Sequence, residues 1–354
     1  MKIQSYKEDG KSLTNFDLNN CLLSLKAKYP ELKKIHSQIL QDVSKRVSLA
    51  FQHFFRRVKS KEKPGFPRFK CKNRYHSLTF PQSGFCLDEK LTISKIGEIS
   101  IVKHRHVKGK IKTMTIKKSS SNKWHAYFCV EYEPQKKVKV NFNVLGIDLG
   151  LHHFYADSDG NIVNNPRYLR NSEEKLSHLQ KFHSRKKKGS RNKQRLRLKV
   201  ALFYEKILNQ RNDFLHKQAR MLANLYSIIA VEKLSIKNMI HNKYLSKSIS
   251  DAGWYKFLQI LAYKVEETGG KILKVSARGT SQYCICGNKA KKTLAVRVHK
   301  CDKCGIEIDR DIMSAIIIKF TALNGATAGS AVSNALGDER LLSSMNQELS
   351  LHSI

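Results

Sequence analysis

Three short apolar runs, separated by helical stretches, constrain this chain more than any other feature. They are VLGIDLG (144–150), SIIAVEKL (227–234) and KILKVS (271–276). Apolar runs of strand length bounded by turn signals mark strands covered on both faces. Between the first two lie DSDG (157–160), which predicts a hairpin turn, and a long basic helical region over 171–226. A helix around 252–267 joins the second run to the third. A cysteine-bearing insert and the helix IMSAIIIKF (312–320) follow. Strand, hairpin, helix, strand, helix, strand, helix is an α/β order with a parallel centre.

Ahead of this domain the periodicity differs. Over 14–58 the spacing predicts a helical pair broken at Pro30, with Leu40, Val43, Val47, Phe51 and Phe54 on one face. From 78 to 133 the period falls to two. Trp124, Ala126, Phe128, Val130 and Tyr132 alternate with His125, Tyr127, Cys129 and Glu131. With ISIV (99–102) and MTIK (114–117), this predicts an antiparallel sheet or small barrel. The expected layout is a multi-domain α/β protein. A helical segment covers 1–60 and a β-barrel 61–140, ending in the joint PQKKVKVNF (134–142). The α/β core follows over 141–279, the cysteine insert over 280–305, a last core segment over 306–321 and a disordered tail over 322–354.

Charge narrows the function. Lys plus Arg total 66 against 29 acids, a net +37, which calls for a polyanionic partner, most simply nucleic acid. At 41% hydrophobic the chain can build cores, and no apolar run approaches the roughly 18 residues of a membrane span. The opening residues lack the apolar stretch of a secretory signal, and the eight cysteines read as intracellular thiols. The charge concentrates in two places. Residues 56–74 carry nine basic residues against Glu62, and Pro64, Gly65 and Pro67 forbid a helix there. With Phe66 and Phe69 interleaved, this stretch is either an ordered loop tracking a nucleic-acid backbone or a solvated linker. Over 181–199, ten of nineteen residues are basic and none is acidic, which suits a duplex or heteroduplex channel. The candidate contacts are Arg68, Lys70, Arg185, Lys186, Lys187, Lys188, Arg191, Lys193, Arg195 and Arg197.

Three acids stand out by position. Asp148 lies inside the first apolar run, Glu232 near the end of the second, and Asp311 at the start of the last helix. Parallel strands bring their carboxyl ends to one edge, so the first two can converge there. Read singly, Glu232 is a solvated strand end and Asp311 a helix cap. Together they suit a pair of Mg²⁺ ions, which clamp the attacking and leaving oxygens of phosphodiester cleavage. Cys284 and Cys286 in TSQYCICG and Cys301 and Cys304 in HKCDKCG predict a structural zinc site. The first pair is one residue short of the usual spacing, and His299 is an alternative ligand.

These stretches together resemble the TnpB family, the OrfB proteins of insertion sequences, labelled transposases and similar to compact ancestors of type V CRISPR effectors. The resemblance rests on GIDLG (146–150), NPR (165–167), NQRNDFLHK (209–217), VEKL (231–234), SDAGW (250–254), TSQYC (280–284), CDKCG (301–305) and DRD (309–311). It implies an RNA-guided DNA endonuclease with a RuvC-type, RNase H-like domain and an inserted zinc ribbon. It puts the metal-binding acids on Asp148, Glu232 and Asp311, and zinc on Cys284, Cys286, Cys301 and Cys304. The N-terminal helices and barrel would hold the target DNA and a guide RNA transcribed from the element's own locus, in a cytoplasmic, nucleoid-associated protein. Three departures stand against it. The family begins with a further strand ahead of the helices, whereas here Met1 falls just before them, so the barrel is expected to be incomplete. The first cysteine pair is contracted. Met313 and Ser314 stand where the family commonly has Asn and Ala. The competing readings are a cleavage-impaired guide-dependent DNA binder, a transposition accessory protein, and an unguided resolvase or RNase.

Overall fold

The structure, a computed structural model, describes residues 2–10, 12–71, 74–133, 143–277, 279–289 and 296–327. It divides into two compact units, Met1–Glu133 and Pro134–Ile354. The expected joint over 134–142, and the expected tail from 328 onward, lie outside the described residues.

The first unit opens with α1 (Lys2–Asp9), α2 (Asn15–Lys28) and α3 (Ser37–Lys59). Thr14 starts α2 with a capping box, exchanging hydrogen bonds with Asp17, and Pro30 ends the run as predicted by opening a single 3-10 turn. The strands are β1 (Ser77–Phe80), β2 (Phe85–Leu87), β3 (Leu91–Ile93), β4 (Gly97–Ile99), β5 (Lys110–Lys118) and β6 (Trp124–Glu131). They are antiparallel, but among the described residues they form two open three-stranded sheets, β1-β5-β6 and β2-β3-β4, rather than a closed barrel. ISIV contributes only Ile99 to a strand. Ile101 packs on the core outside any strand, and Val102 is 92% exposed. Phe80, Leu91, Ile93 and Met114 form the core, and Ile39 of α3 is buried among them, so helices and strands share one interior. The small Ser44 and Ser48 of α3 are buried, whereas Val43 and Val47 are exposed. Phe66 docks its ring against Phe51 and Phe54.

The second unit runs β7 (Val144–Leu149), β8 (His153–Asp157), β9 (Ile162–Asn164), α4 (Tyr168–Asn171), α5 (Glu173–Ser184), α6 (Arg191–Leu225) and β10 (Ile228–Glu232). It continues with α7 (Ile236–Met239), α8 (Ser246–Ala252), α9 (Trp254–Glu267), β11 (Lys271–Val275), β12 (Val298–Lys300), β13 (Glu307–Asp309) and α10 (Arg310–Thr327). The five-stranded sheet has the order β11-β10-β7-β8-β9. β7, β8 and β9 are antiparallel neighbours, while β10 runs parallel to both β7 and β11. The predicted parallel centre is therefore present, made of the three apolar runs.

Strand alternation then distributes the cover. Leu145, Ile147, Ile229 and Val231 point into a core built with Leu215 and Leu222 of α6 and Phe257 and Leu261 of α9. Ala230 and Val275 face the other way and pack on Ile318 and Ala322 of α10. Two expectations are corrected. The helix expected over 171–226 is interrupted between α5 and α6, because Ser190 caps a new start by accepting the Lys193 amide at 3.2 Å. The last helix continues to Thr327, past residue 322 where the tail was expected, because Ile318 and Ala322 still have apolar cover. Among the described residues no helix is long and apolar enough to cross a membrane.

Candidate active site and cysteine module

Asp148 is the fifth residue of β7, and Glu232 is the last of β10. The parallel register sets Val231 beside Ile147, so the next step sets Glu232 beside Asp148 on the same face, with backbones about 4.8 Å apart. That face carries α10, and Gly146 shows how closely. A Cβ at Gly146 would stand 2.1 Å from the Ala315 carbonyl oxygen and 2.8 Å from the Lys319 amide nitrogen. The helix backbone therefore rests on the strand, and one turn back from Ala315 brings Asp311 to the acid pair. Its capping role belongs elsewhere: Oδ1 of Asp309 accepts the amides of Asp311 (2.8 Å) and Ile312 (3.2 Å), which leaves the Asp311 carboxylate to the site.

The electrostatics fit this placement. Burial first, then the charges of Glu232 and Asp311, hold the Asp148 carboxyl well above its ordinary range, with Arg310 opposing. Burial also raises Glu232, eased by a hydrogen bond from the Thr280 hydroxyl. Arg297 Nη1 lies 3.9 Å from Asp311 Oδ2. The structure thus brings the three predicted acids into one electrostatic cluster. Among the described residues, however, only the cysteines already gather their ligand atoms around a point fit for one ion.

Those cysteines are Cys284, Cys286, Cys301 and Cys304, whose sulfurs all lie within 4.8 Å of one another. Sγ of Cys284 and Cys304 are 3.6 Å apart, as are those of Cys286 and Cys301. Four sulfurs at about 2.3 Å from a tetrahedral zinc stand about 3.8 Å from each other, so the short first pair still fits the geometry. His299 is buried on β12 and is not one of the four. Backbone amides of Cys304 and Lys303 lower the Cys301 thiol, while burial pushes the Cys284 thiol up, so the metal-free cluster shares its protons unevenly. Met313, set against the family pattern, is buried in one cluster with Cys284 and Cys301.

The basic candidates separate into distinct settings. Arg185, Lys186, Lys187 and Lys188 are exposed in the turn between α5 and α6, and Arg191, Arg195 and Arg197 are exposed on α6. Lys193 is half-buried, and its Nζ donates to the Lys186 carbonyl at 2.9 Å, so it shapes the turn. In the first unit Arg68 and Lys70 are exposed in an irregular stretch. Phe69 is fully exposed, and Lys70 Nζ sits 5.1 Å from the Tyr75 ring centre. Asp251 of SDAGW is scaffolding. It accepts the amides of Leu169 (3.1 Å) and Arg170 (3.3 Å) and pairs with Arg211 at 2.7 Å. Gly146, Thr280 and Asp309 lie in the quoted motifs GIDLG, TSQYC and DRD, yet sequence reasoning gave them no role. Only a known helix crossing or side-chain contact supplies one.

An α/β unit with acids clustered at its parallel strands and last helix, joined to a four-cysteine cluster of a shape that could hold a metal ion, is the class of protein this site defines. Two family models match the chain: OrfB_IS605, "Probable transposase", over residues 127–243, and "Cas12f1-like, TNB domain" over residues 254–318. The chain belongs to the OrfB, or TnpB, family. It is similar to "Putative RNA-guided DNA endonuclease InsQ" of Escherichia coli K12, with 31% identity over 74% of this chain and 68% of that protein. A "Putative RNA-guided DNA endonuclease" of Streptomyces pristinaespiralis is 29% identical over 85% of this chain and 75% of the relative. The chain also aligns over 90% of its length with 89% of a solved chain titled "Cryo-EM structure of the Cas12f1-sgRNA-target DNA complex". There the identity is 16% and the TM-score 0.38, a likeness too loose to build on.

Proposed function

We propose that this chain is an RNA-guided DNA endonuclease of the transposon-associated TnpB type, with Asp148, Glu232 and Asp311 as its catalytic acids. The observation that carries the reading is that Glu232 and Asp311, far from Asp148 in sequence, lie near enough at one face of the sheet for their charges to add to burial in raising its carboxyl. Relatives named as RNA-guided DNA endonucleases and a net charge of +37 support a nucleic-acid substrate. The mixed sheet, with its antiparallel hairpins and two parallel additions, supports an RNase H-like domain of RuvC type.

The acids fit divalent cations. A buried carboxyl raised by two neighbouring charges needs countercharge, and an all-oxygen donor set suits Mg²⁺. Bound there, a pair of Mg²⁺ ions supplies charge stabilisation and orients the oxygens of an in-line phosphodiester displacement. Asp148 and Glu232 offer donors from adjacent rigid strands, and Asp311 offers a third from a helix start held by Asp309. The cysteine module takes a structural zinc, since four thiolates leave no position open for chemistry. The first unit, with its two small antiparallel sheets, and the exposed cations at 185–197 hold guide RNA and target DNA through their backbones, while base pairing reads the sequence. The protein acts in the cytoplasm, at the nucleoid. Met313, which argued for a cleavage-impaired binder, packs with the cysteines, so cutting is the stronger reading.

The test is purification together with the chain's native genomic flanks, sequencing of bound RNA, and a matching duplex with Mg²⁺. Cutting that follows the RNA sequence is expected. Cutting without RNA overturns the guided reading in favour of a resolvase or RNase, and bound RNA without cutting in favour of a DNA-blocking or accessory protein.

A further inference from the structure

The cysteine module reaches the acid site through a side chain that the proposed chemistry leaves unused. Thr280 is 5% exposed, and its hydroxyl donates to Oε1 of Glu232. A carboxylate has room for several partners, so this bond fixes Oε1 and still leaves lone pairs for a cation.

Thr280 is held stiffly from the cysteine side. Gly279 before it has φ +90°, and a Cβ there would meet the Tyr283 ring at 2.7 Å, so glycine is the residue this turn accepts. The amides of Gln282 and Tyr283 donate back to the Gly279 carbonyl at 2.8 and 3.3 Å. The next residue is Cys284, whose amide donates to the Asn288 carbonyl at 2.9 Å, and Asn288 Nδ2 lies 3.7 Å from Cys301 Sγ. A continuous path therefore runs from the thiol cluster to the Glu232 carboxylate. Arg297, which precedes the strand β12 leading into Cys301, is linked to the third acid. The Arg310 amide donates to the Arg297 carbonyl at 2.7 Å, and the Arg297 side chain faces Asp311.

The geometry points to Thr280 as a positioning residue that fixes the Glu232 carboxylate for a divalent cation, with the cysteine module as the anchor that fixes Thr280. This rests on the reading of the acids as a cation site. Groups that hydrogen-bond a metal's ligands contribute about 10–100-fold to its affinity.

The test uses Mn²⁺ as the probe, counted by electron paramagnetic resonance on the full RNA-bearing chain. The proteins compared are wild type, Thr280→Val, Thr280→Ser and Asp148→Asn, the last defining binding elsewhere on the chain. Thr280→Val is expected to weaken the Asp148-dependent binding about tenfold or more, with zinc content and melting temperature unchanged, and Thr280→Ser to restore it. Unchanged binding in Thr280→Val, or no rescue by serine, overturns the inference. So does loss of zinc or early melting in Thr280→Val, which would make the residue merely structural. No Asp148-dependent Mn²⁺ binding in wild type overturns the acid-site reading and this inference with it.

Discussion

Gly146→Ala adds one methyl group at the point where α10 crosses β7, and its consequences follow from distance alone. The new Cβ would stand 2.1 Å from the Ala315 carbonyl oxygen, whereas ordinary contacts begin at 3.4 Å. Both near atoms belong to the helix backbone, so no side-chain rotation relieves the clash and α10 must withdraw by about 1 Å. Overpacking of this kind costs about 1–3 kcal/mol. For a unit of this size that lowers the melting temperature by roughly 2–12 °C. Asp311 rides on the same helix, so the shift also moves a carboxylate from its partners, and a misplacement of about 1 Å costs catalysis about 100-fold. Thermal melting and Mg²⁺-dependent cleavage read the two effects. Gly65→Ala, with nothing within 4 Å of its added Cβ, controls for the stability change. If Gly146→Ala melts and cuts like wild type, α10 does not rest on β7 as described, and the convergence of the acids fails with it.

Three further outcomes follow from the site. Asp148 and Glu232 hold their protons more tightly folded than unfolded. In the metal-free protein their stabilisation is therefore complete below the ordinary values of 3.8 and 4.5, and is lost as pH rises through the raised ones. Metal-free Asp148→Asn should then melt above wild type at about pH 8, with the gap closing toward about pH 4, and a constant gap would contradict the buried charge. Zinc should be present at one per chain and be lost with early melting when Cys301 and Cys304 become serine. A folded, metal-free wild type contradicts the module. Neutralising Lys186, Lys187 and Lys188 should reduce the slope of log affinity against log salt by about 2 to 3, and an unchanged slope places that turn off the nucleic acid.

The sequence carried the sheet's parallel centre because 144–149 and 228–232 are apolar and buried on both faces, while 271–275 keeps apolar Ile272, Leu273 and Val275 between exposed lysines, as an edge strand does. Asp148, Glu232 and Asp311 were legible for the same reason, as charges placed where strands and a helix start require apolar or capping residues. Asp309 was not, because Asp-Arg-Asp offers two carboxylates and only the fold says which one caps. Thr280 and Gly146 owe their roles to partners forty-eight residues away and farther, and local pattern says nothing about such contacts. The break between α5 and α6 was hidden by the uniform basicity of 181–199, where charge masked the capping signal of Ser190. In the first unit alternation found β5 and β6, yet it could not tell a closed barrel from two small sheets, because pairing partners are chosen in three dimensions.

The central claim, that three distant carboxylates form one working site, is tested most directly by cleavage of a matched duplex by RNA-loaded protein in Mg²⁺. Wild type is compared with Asp148→Ala, Glu232→Ala and Asp311→Ala, each taken singly. The account predicts that each change lowers cutting by about 1000-fold or more while the duplex stays bound, because the acids act as a unit. A variant that still cuts near the wild-type rate would show that its carboxylate stands outside the site, and the account would be wrong.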